Sequence, residues 1–577
     1  MTAGTAGLRR VLAILAGTGL AAAVALAATW PAALTFATHT HGLFFDADLQ
    51  VSIWWQAAMV EALKEGRDPF HALSLAWPDG QDTRLLLWNY APQLLLAPIH
   101  WFTDPVLGLN LSSLAIMVLN GLAAGWAAHK ATGSRAGALT GLVVGATSAY
   151  AWAEMGSGRA EQAIWAPVAI YIGGLIPLLK EPGTRRHILI CALALAASGA
   201  IYWFYAYLLV ICTGLMLAGI AIRRHLSRRT LWDFAWIGGG SLVLAAPFLI
   251  PVISGSLQAT DAYHGITEQV ANPIDMQANS NLVPMCYLGL LSNGRGFPSA
   301  QAPLLLLPIC LLVAIRATGP VRAVAWMGML TAIFAAGPVL MKDVGEPIDL
   351  FGYLVYLPMA ALEVLPGFQR FWWPYRWLGL AIPVFAICAG WAICRFRRPH
   401  LPLALFTVLC VVECGLILRI YLPPPHHVEG SPRNRPISNP ARIPAIFKSL
   451  AREPYPSPIL QVPVAKIING EVGWHAYHRQ PIDGGVAWHV KGVRTAAYEK
   501  RRREVPLFVA VERASKDLPV NQKRRWSPKE AGGFRYVMLS RRYDEHSEVM
   551  LRGLKKLLAA PYYIDEMVAL WKITPSL

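Results

Sequence analysis

Charged side chains are scarce in this chain. Asp, Glu, Lys and Arg make up 15% of its 577 residues, against about a quarter in a soluble globular domain. That shortage excludes a protein solvated along its whole length. Cysteine is also thin, with eight residues and none after Cys414. Seven of the eight stand in or beside apolar runs, and neither a disulfide framework nor a zinc spacing can be built from them. No glycine-rich phosphate loop occurs in a nucleotide-binding setting. No repeated half is visible, as many secondary transporters would show, and no long low-complexity tract interrupts the chain. What remains is apolar. The sequence is 55% hydrophobic, its mean hydropathy is +0.41, and its apolar residues are blocked into runs near the roughly 20 residues a membrane helix needs. With 21 Trp and 19 Tyr to furnish interfacial belts, the composition predicts an α-helical polytopic membrane protein.

Clear apolar runs cover 11–34, 106–128, 136–153, 162–179, 233–255, 301–316, 323–341, 376–394 and 401–421. The stretch 188–222 is too long for one helix and divides at "YWFY", Tyr202 to Tyr205, into two spans. The short segment 85–101, "LLLWNYAPQLLLAPIHW", carries Asn89, Pro92, Gln93 and Pro98, and charge decides its fate. If it does not cross, one side of the membrane collects Arg9 and Arg10, Lys130 and Arg135, Lys180, Arg185 and Arg186, Arg223 to Arg229, Arg316 and Arg322, and Arg395 to Arg398. Only Glu181 opposes them there. If it crosses, every later basic loop turns outward, against the positive-inside rule. About eleven spans follow, with 85–101 re-entrant or juxtamembrane, the N-terminus inside and the C-terminus outside. The run after Arg10 exceeds a signal-peptide core and reads as an uncleaved first span.

The long outer segments are then 35–105, 256–300, 342–375 and the tail. The Pro-rich turn 422–440 reads as a linker between a membrane domain, 1–421, and an outer domain, 441–577. The net charge of +17 is concentrated beyond it, where 26 basic residues face 14 acidic ones from Leu422 onward. Anionic lipid headgroups or envelope polymers suit that surplus; nucleic acid is not expected outside the cell. In the tail, "SPILQVPV", "FRYVMLS" and "EMVALWKI" read as strands and "HSEVMLRGLKKLLAA" as a helix, a small α/β domain.

Candidate chemistry gathers on the outer segments. Asp46 and Asp48 stand two apart in "FFDADLQVSIWW". Such a pair can act as a general base or share a cation; it can equally be a solvated loop or a helix cap. After it, Leu49, Ile53, Trp54, Ala57, Ala58, Val60 and Leu63 alternate with Gln50, Gln56, Glu61 and Lys64 as in a helix lying in the membrane interface, with 85–101 as a floor beneath. "EMGSGRAEQAIW" brings Glu154, Arg159 and Glu161 to an outer turn, where Glu161 reads as a second acid or a cation ligand with Arg159 as a phosphate partner, or the turn as a capped helix start with an interfacial ion pair. "LPGFQRFWWPYRWLGL" sets Arg370 and Arg376 about an aromatic block. Two guanidiniums there suit a lipid-linked phosphate, or snorkel in an aromatic belt. His39 and His41 with the Asp pair would be the donors for a divalent cation. His475, His478 and His489 in the tail read as surface or core residues. Glu413, within the last span, has no role in this reading.

Taken in order, these stretches resemble the C-type (GT-C) bacterial membrane glycosyltransferases. The resemblance rests on "FFDADLQVSIWWQAAMVEALKEGRDPF", "LAWPDGQDTRLLLWNYAPQLLLAPIHWF", the turn "AAHKATGSRAGAL" running to "AEMGSGRAEQAIW", "LPGFQRFWWPYRWLGL" and the tail's "HAYHRQPIDGG" and "FRYVMLSRR". Phe45 stands where that family has glycine before its first acid, and Glu161 differs from many relatives. The resemblance implies a polyprenyl-phosphate sugar donor and an acceptor hydroxyl on an envelope glycan, lipid or protein. Transfer would invert the anomeric centre on the outer face of the cytoplasmic (inner) membrane. It further implies Asp46 or Asp48 as the base, and Arg159, Arg370 or Arg376 on the donor phosphate with Glu161 beside it. A divalent cation is the one candidate cofactor. Two other readings fit the same spans: a lipid or polysaccharide transporter or flippase, and a non-catalytic envelope assembly protein.

Overall fold

The computed structural model describes residues 3–42, 47–83, 90–223, 227–258, 305–343, 346–365, 374–421, 438–440, 443–462, 474–483, 496–520, 525–541 and 544–573. Asp46, Arg370, His489 and Cys286 lie outside the described residues, as do most of the loop 256–300 and residues 422–437.

The chain is predominantly helical. Helix α1 covers Ala3–Ala28, α2 Ala47–Lys64, α3 Tyr90–Trp101, α4 Pro105–Thr132, α5 Arg135–Ala146, α6 Ala149–Gly156, α7 Ala160–Ala163 and α8 Ala166–Lys180. Then follow α9 Arg185–Ile201, α10 Trp203–Arg223, α11 Arg228–Gln258, α12 Leu306–Arg316, α13 Gly319–Ala335, α14 Leu378–Ile393 and α15 His400–Tyr421. Among the described residues, each apolar run expected to cross contains helix. Among the described residues, seven helical segments are long and apolar enough to span a membrane: Val11–Ala28, Pro105–Thr132, Ala160–Lys180, Trp203–Ile222, Arg228–Ile250, Pro374–Ile393 and His400–Leu418. The run 188–222 does divide at Tyr202, where the backbone turns extended between α9 and α10.

Local chemistry sets the ends. The Asp104 carboxylate accepts the amides of Val106 and Leu107, each at 3.0 Å, and starts α4; Gly133, in the left-handed region, ends it. The run 136–153 breaks at Thr147, and the Ser148 hydroxyl caps a second, short helix, α6. Helices α4 and α5 meet along small residues. A Cβ on Gly141 would stand 2.6 Å from the Ala124 carbonyl oxygen, and one on Gly145 2.7 Å from that of Asn120, so the two backbones touch as in other small-residue seams. Helix α14 is almost wholly buried at the centre, against α4, α5, α12 and α13. With 12 residues, α3 is about 18 Å long, short of the roughly 30 Å hydrocarbon core, and it packs on α2 and α4.

The tail contains a four-stranded sheet. Strand β3 is Ile459–Val462, β4 Tyr536–Ser540, β5 Tyr563–Ile564 and β6 Val568–Lys572, and the order is β5-β6-β4-β3. Strand β4 runs antiparallel to β6 and parallel to β3. The strand-period alternation sends Leu460, Val462, Val537, Leu539, Ala569 and Trp571 to one face, where helices Pro506–Ser515 and Asp544–Leu558 cover them. Ile459, Tyr536, Met538, Val568 and Leu570 point the other way, and there they meet Trp54, Trp55 and Met59 of α2. The tail thus borrows α2 to close its sheet, where its length alone suggested a self-contained core. Two further links join the same segments. Strand β1, His39–His41, pairs antiparallel with β2, Ser438–Pro440, so the end of the Pro-rich turn is sheet. Arg501 also makes a 2.8 Å ion pair with Asp79.

The interfacial reading of α2 is corrected by this packing. Leu49 and Ile53 enter the core of the membrane helices, while Trp54, Trp55 and Met59 enter the tail's. Gln50 and Gln56, expected on the polar side, are buried, as is Ser52. An amphipathic pattern reports that one face is apolar; it does not report that a second domain covers the other.

Burial leaves titratable groups in the tail with opposed pH responses. Burial lowers His475 to about 4, helped by Arg479 and Arg67, and holds His478 well below its ordinary value. Their stabilising contribution is complete above pH 6.5 and is lost as pH falls towards 4. Burial raises Asp483 to about 7 despite the Gln461 amide it accepts, so the carboxylate destabilises the fold increasingly as pH rises from 3.8 to 7. In Asp483→Asn, which keeps the acceptor oxygen, thermal unfolding should show a higher midpoint above pH 7. The loss of stability below pH 6.5 should become steeper than in the wild type. An unchanged pH profile would refute the assignment.

Candidate functional site

Asp48 lies in the first turn of α2, where the helix dipole favours a carboxylate. What it faces is the turn after α6. There the chain leaves α6 at Gly156, turns through Ser157 and Gly158, and re-enters the short helix α7 with Glu161 in its first turn. Gly158 has φ +76°, and a Cβ on it would stand 2.3 Å from the Leu49 Cα and 2.5 Å from the Asp48 carbonyl oxygen. Only glycine allows that seat. The glycine brings Arg159 beside the start of α2.

Arg159 spans two acids. Its Nε lies 2.6 Å from Glu154 Oε2, a side chain with no exposure, and its Nη1 lies 3.8 Å from Asp48 Oδ2, which is 55% exposed. The Arg159 amide also donates to the Glu154 carbonyl at 2.8 Å. Glu161 is buried, and Gln162 donates to its Oε1 at 3.4 Å. Both Arg159 and Asp48 lie within electrostatic reach of it.

The third element arrives from far along the chain. A helical turn, Pro374–Trp377, precedes α14 and carries Tyr375 and Arg376. The Arg376 guanidinium stands over the rings of Tyr202, at 5.7 Å, and Phe204, at 5.2 Å. Arg159 and Glu154 are within its electrostatic reach. Beneath them the hydroxyl of Tyr205 donates to the Gln162 carbonyl, which leaves Tyr150 to donate to Tyr205 at 2.9 Å. The Tyr150 and Tyr375 rings are 6.3 Å apart. Several buried polar atoms here have no hydrogen-bond partner among the described residues: Tyr202 Oη, Arg376 Nε and Glu154 Oε1.

The structure therefore brings Asp48, Arg159, Glu161 and Arg376 to one place, with Asp46 and Arg370 outside the described residues. Glu154 and the tyrosines 150, 202, 205 and 375 join them without having been assigned a role from sequence. Glu154 was visible in the motif, but nothing in one sequence showed that it, rather than Glu161, pairs with Arg159. The "YWFY" stretch read as an interfacial turn, and it is also the floor of this cluster.

The histidines serve other ends. His41 is buried, donates from its backbone amide to the Asn110 side-chain oxygen at 2.9 Å, and donates from Nε2 to the Trp152 carbonyl at 2.9 Å. Burial lowers it to about 4. Asn110 in turn donates to the carbonyls of Phe36 and His39, so this knot ties the segment between α1 and α2 to α4 and α6. His475 and His478 are core residues. Among the described residues, no group of three His, Cys, Asp or Glu side chains converges as a metal site would.

Comparison with known proteins returns one kind of likeness. No family model matches the chain, and no curated protein matches it. Among solved structures it is similar to the Archaeoglobus fulgidus oligosaccharyltransferase in complex with zinc and sulfate. The identity is 13%, the TM-score 0.42, and the match covers 91% of this chain and 68% of that one.

Gly158→Ala tests how the site is assembled. The methyl must displace α2's first turn, with a loss of about 1–3 kcal/mol. Hydrogen exchange of the amides near Leu49 should accelerate while that of α14 does not. Equal protection of the first turn in variant and wild type would show that the glycine does not seat it.

Proposed function

We propose that this protein is a membrane glycosyltransferase that moves a sugar from a polyprenyl-phosphate donor to an acceptor hydroxyl on the outer face of the bacterial inner membrane. The observation that carries the reading is the convergence just described. A half-exposed carboxylate at the rim, Asp48, stands by a buried cluster that holds a guanidinium, Arg376, with an unpartnered Nε.

The two arginines take different roles in this reading. Arg159 is neutralised by Glu154 and reaches towards Asp48, so it positions the carboxylate. Arg376 rests on aromatic rings, and no ion pair to an acid neutralises it among the described residues. It is the better partner for the donor phosphate. The acceptor hydroxyl gives its proton to Asp48 as its oxygen bonds to the anomeric carbon. The bond from that carbon to the phosphate oxygen breaks on the opposite side, and the electron pair leaves on the phosphate beside Arg376. The anomeric centre inverts. Glu161 lines the same cluster and would meet the sugar or the phosphate.

The membrane arrangement agrees with α3 not crossing. The segment before residue 83 and the tail share one hydrophobic core, so they lie on one side, and the chain between them crosses an even number of times. Ten crossings with α3 lying short satisfy this; eleven do not. The total of eleven spans, the cytoplasmic N-terminus, and a membrane domain 1–421 followed by an outer domain from 441 are parts of the same proposal.

Sugar transfer from a polyprenyl-phosphate sugar, with the protein in liposomes, tests it. Asp48→Asn should lower the rate about 10²–10⁴-fold with the protein still folded and inserted. Arg376→Ala should lose about 10²–10³-fold, and Arg376→Lys should recover part of that. Full activity in both Asp46→Asn and Asp48→Asn would sink the catalytic reading.

A further inference from the structure

A second site lies at the other end of α2. Glu61 stands thirteen residues beyond Asp48 on that helix, about 20 Å along its axis. Around it, the end of α2, the following turn and the tail line a shallow cleft that opens to solvent. Three features describe what would fit there.

The first is aromatic surface. The ring of Tyr455, 57% exposed, stands at the cleft with Trp54 and Trp55 behind it. Ring faces of this kind stack on the apolar faces of flat, amphipathic ligands.

The second is charge. Glu61 and Asp68 are the acids of the lining and Arg67 its cation, and Arg67 is already engaged by Glu65 at 2.5 Å. An anion would meet surplus carboxylate here. One Asp68 oxygen accepts the Phe70 amide at 2.8 Å, which leaves the other to accept from a ligand hydroxyl.

The third is His475. It lines the cleft, is 2% exposed, and neither of its ring nitrogens has a hydrogen-bond partner among the described residues. A buried polar group left so costs about 1–3 kcal/mol, and a hydroxyl that donates to one nitrogen or accepts from the other removes that penalty. Its burial keeps it neutral, with one donor and one acceptor.

We infer that this cleft binds a neutral, polyhydroxylated glycan segment: a part of the acceptor held away from the hydroxyl that reacts. The inference rests on the glycosyltransferase reading for its biological sense, but the binding itself can be measured alone.

The probes are neutral gluco-, manno- and galacto-configured trisaccharides, with a glucuronic-acid trisaccharide as the anionic control. Binding to the full chain in detergent is followed by saturation-transfer NMR and tryptophan fluorescence. At least one neutral trisaccharide should bind, with its ring protons in contact, and the anionic one more weakly. Tyr455→Ala, at an exposed position, and Glu61→Gln should each weaken binding tenfold or more. Asp48→Asn should leave it unchanged. Absence of binding by every neutral trisaccharide overturns the inference, as does binding indifferent to both cleft variants or stronger for the anionic probe. If trisaccharide binding follows the cleft variants while Asp48→Asn retains full sugar transfer, the catalytic assignment of Asp48 fails and the cleft stands. If transfer depends on Asp48 and no trisaccharide binds, the reverse holds.

Discussion

Everything distinctive in this structure depends on one helix being buried on two sides. Helix α2 presses Leu49 and Ile53 into the membrane body and Trp54, Trp55 and Met59 into the tail. Each buried tryptophan withdraws roughly 150–250 Å² from water, on the order of 5 kcal/mol by area. That is comparable with the net stability of a whole domain. The helix is therefore a strut between the two cores. Its first turn holds Asp48 against the turn after α6, and its last turns wall the second cleft. The strut also ties the segment between α1 and α3 to the tail.

The buried cluster beside Asp48 obeys a different constraint. A carboxylate as enclosed as Glu154 is tolerable only with a cation in contact, and Arg159 supplies it at 2.6 Å. The same guanidinium then turns its outer nitrogens to Asp48. Removing Arg159 would strand a buried charge, so its loss would confuse stability with chemistry; Asp48 and Arg376 are cleaner probes. Arg376 is held by the ring faces of Tyr202 and Phe204, and among the described residues no acid pairs with it. Tyr205, committed to the Gln162 carbonyl, locks the floor on which this rests.

Much of this was legible in the residues. Apolar run length located the helices, because hydrocarbon demands that a segment satisfy its own backbone. The break at Tyr202 and the tail's strands followed from local pattern. Asp48, Arg159, Glu161 and Arg376 were named from motif chemistry, and they meet. What was not legible was pairing. Nothing local distinguishes Glu154 from Glu161 as the partner of Arg159, since that depends on the Gly158 turn. Tyr202 and Tyr375, over 170 residues apart, carry no mark of sharing a site.

The sequence by itself determined that the chain is a polytopic membrane protein, where its long apolar helices lie, and which connecting segments carry the candidate side chains. These depend on composition and near-neighbour spacing, which hydrocarbon and hydrogen bonding read directly. Tertiary structure alone decided that α2 is a strut and not an interfacial helix, and that the tail sheet is incomplete without it. It also decided which acid Arg159 neutralises, and that His475 lines a cleft with both ring nitrogens unpartnered among the described residues. The choice of Glu154 is set by the turn at Gly158, and the others are contacts between segments distant in the chain, where one face's periodicity cannot state what will cover the other.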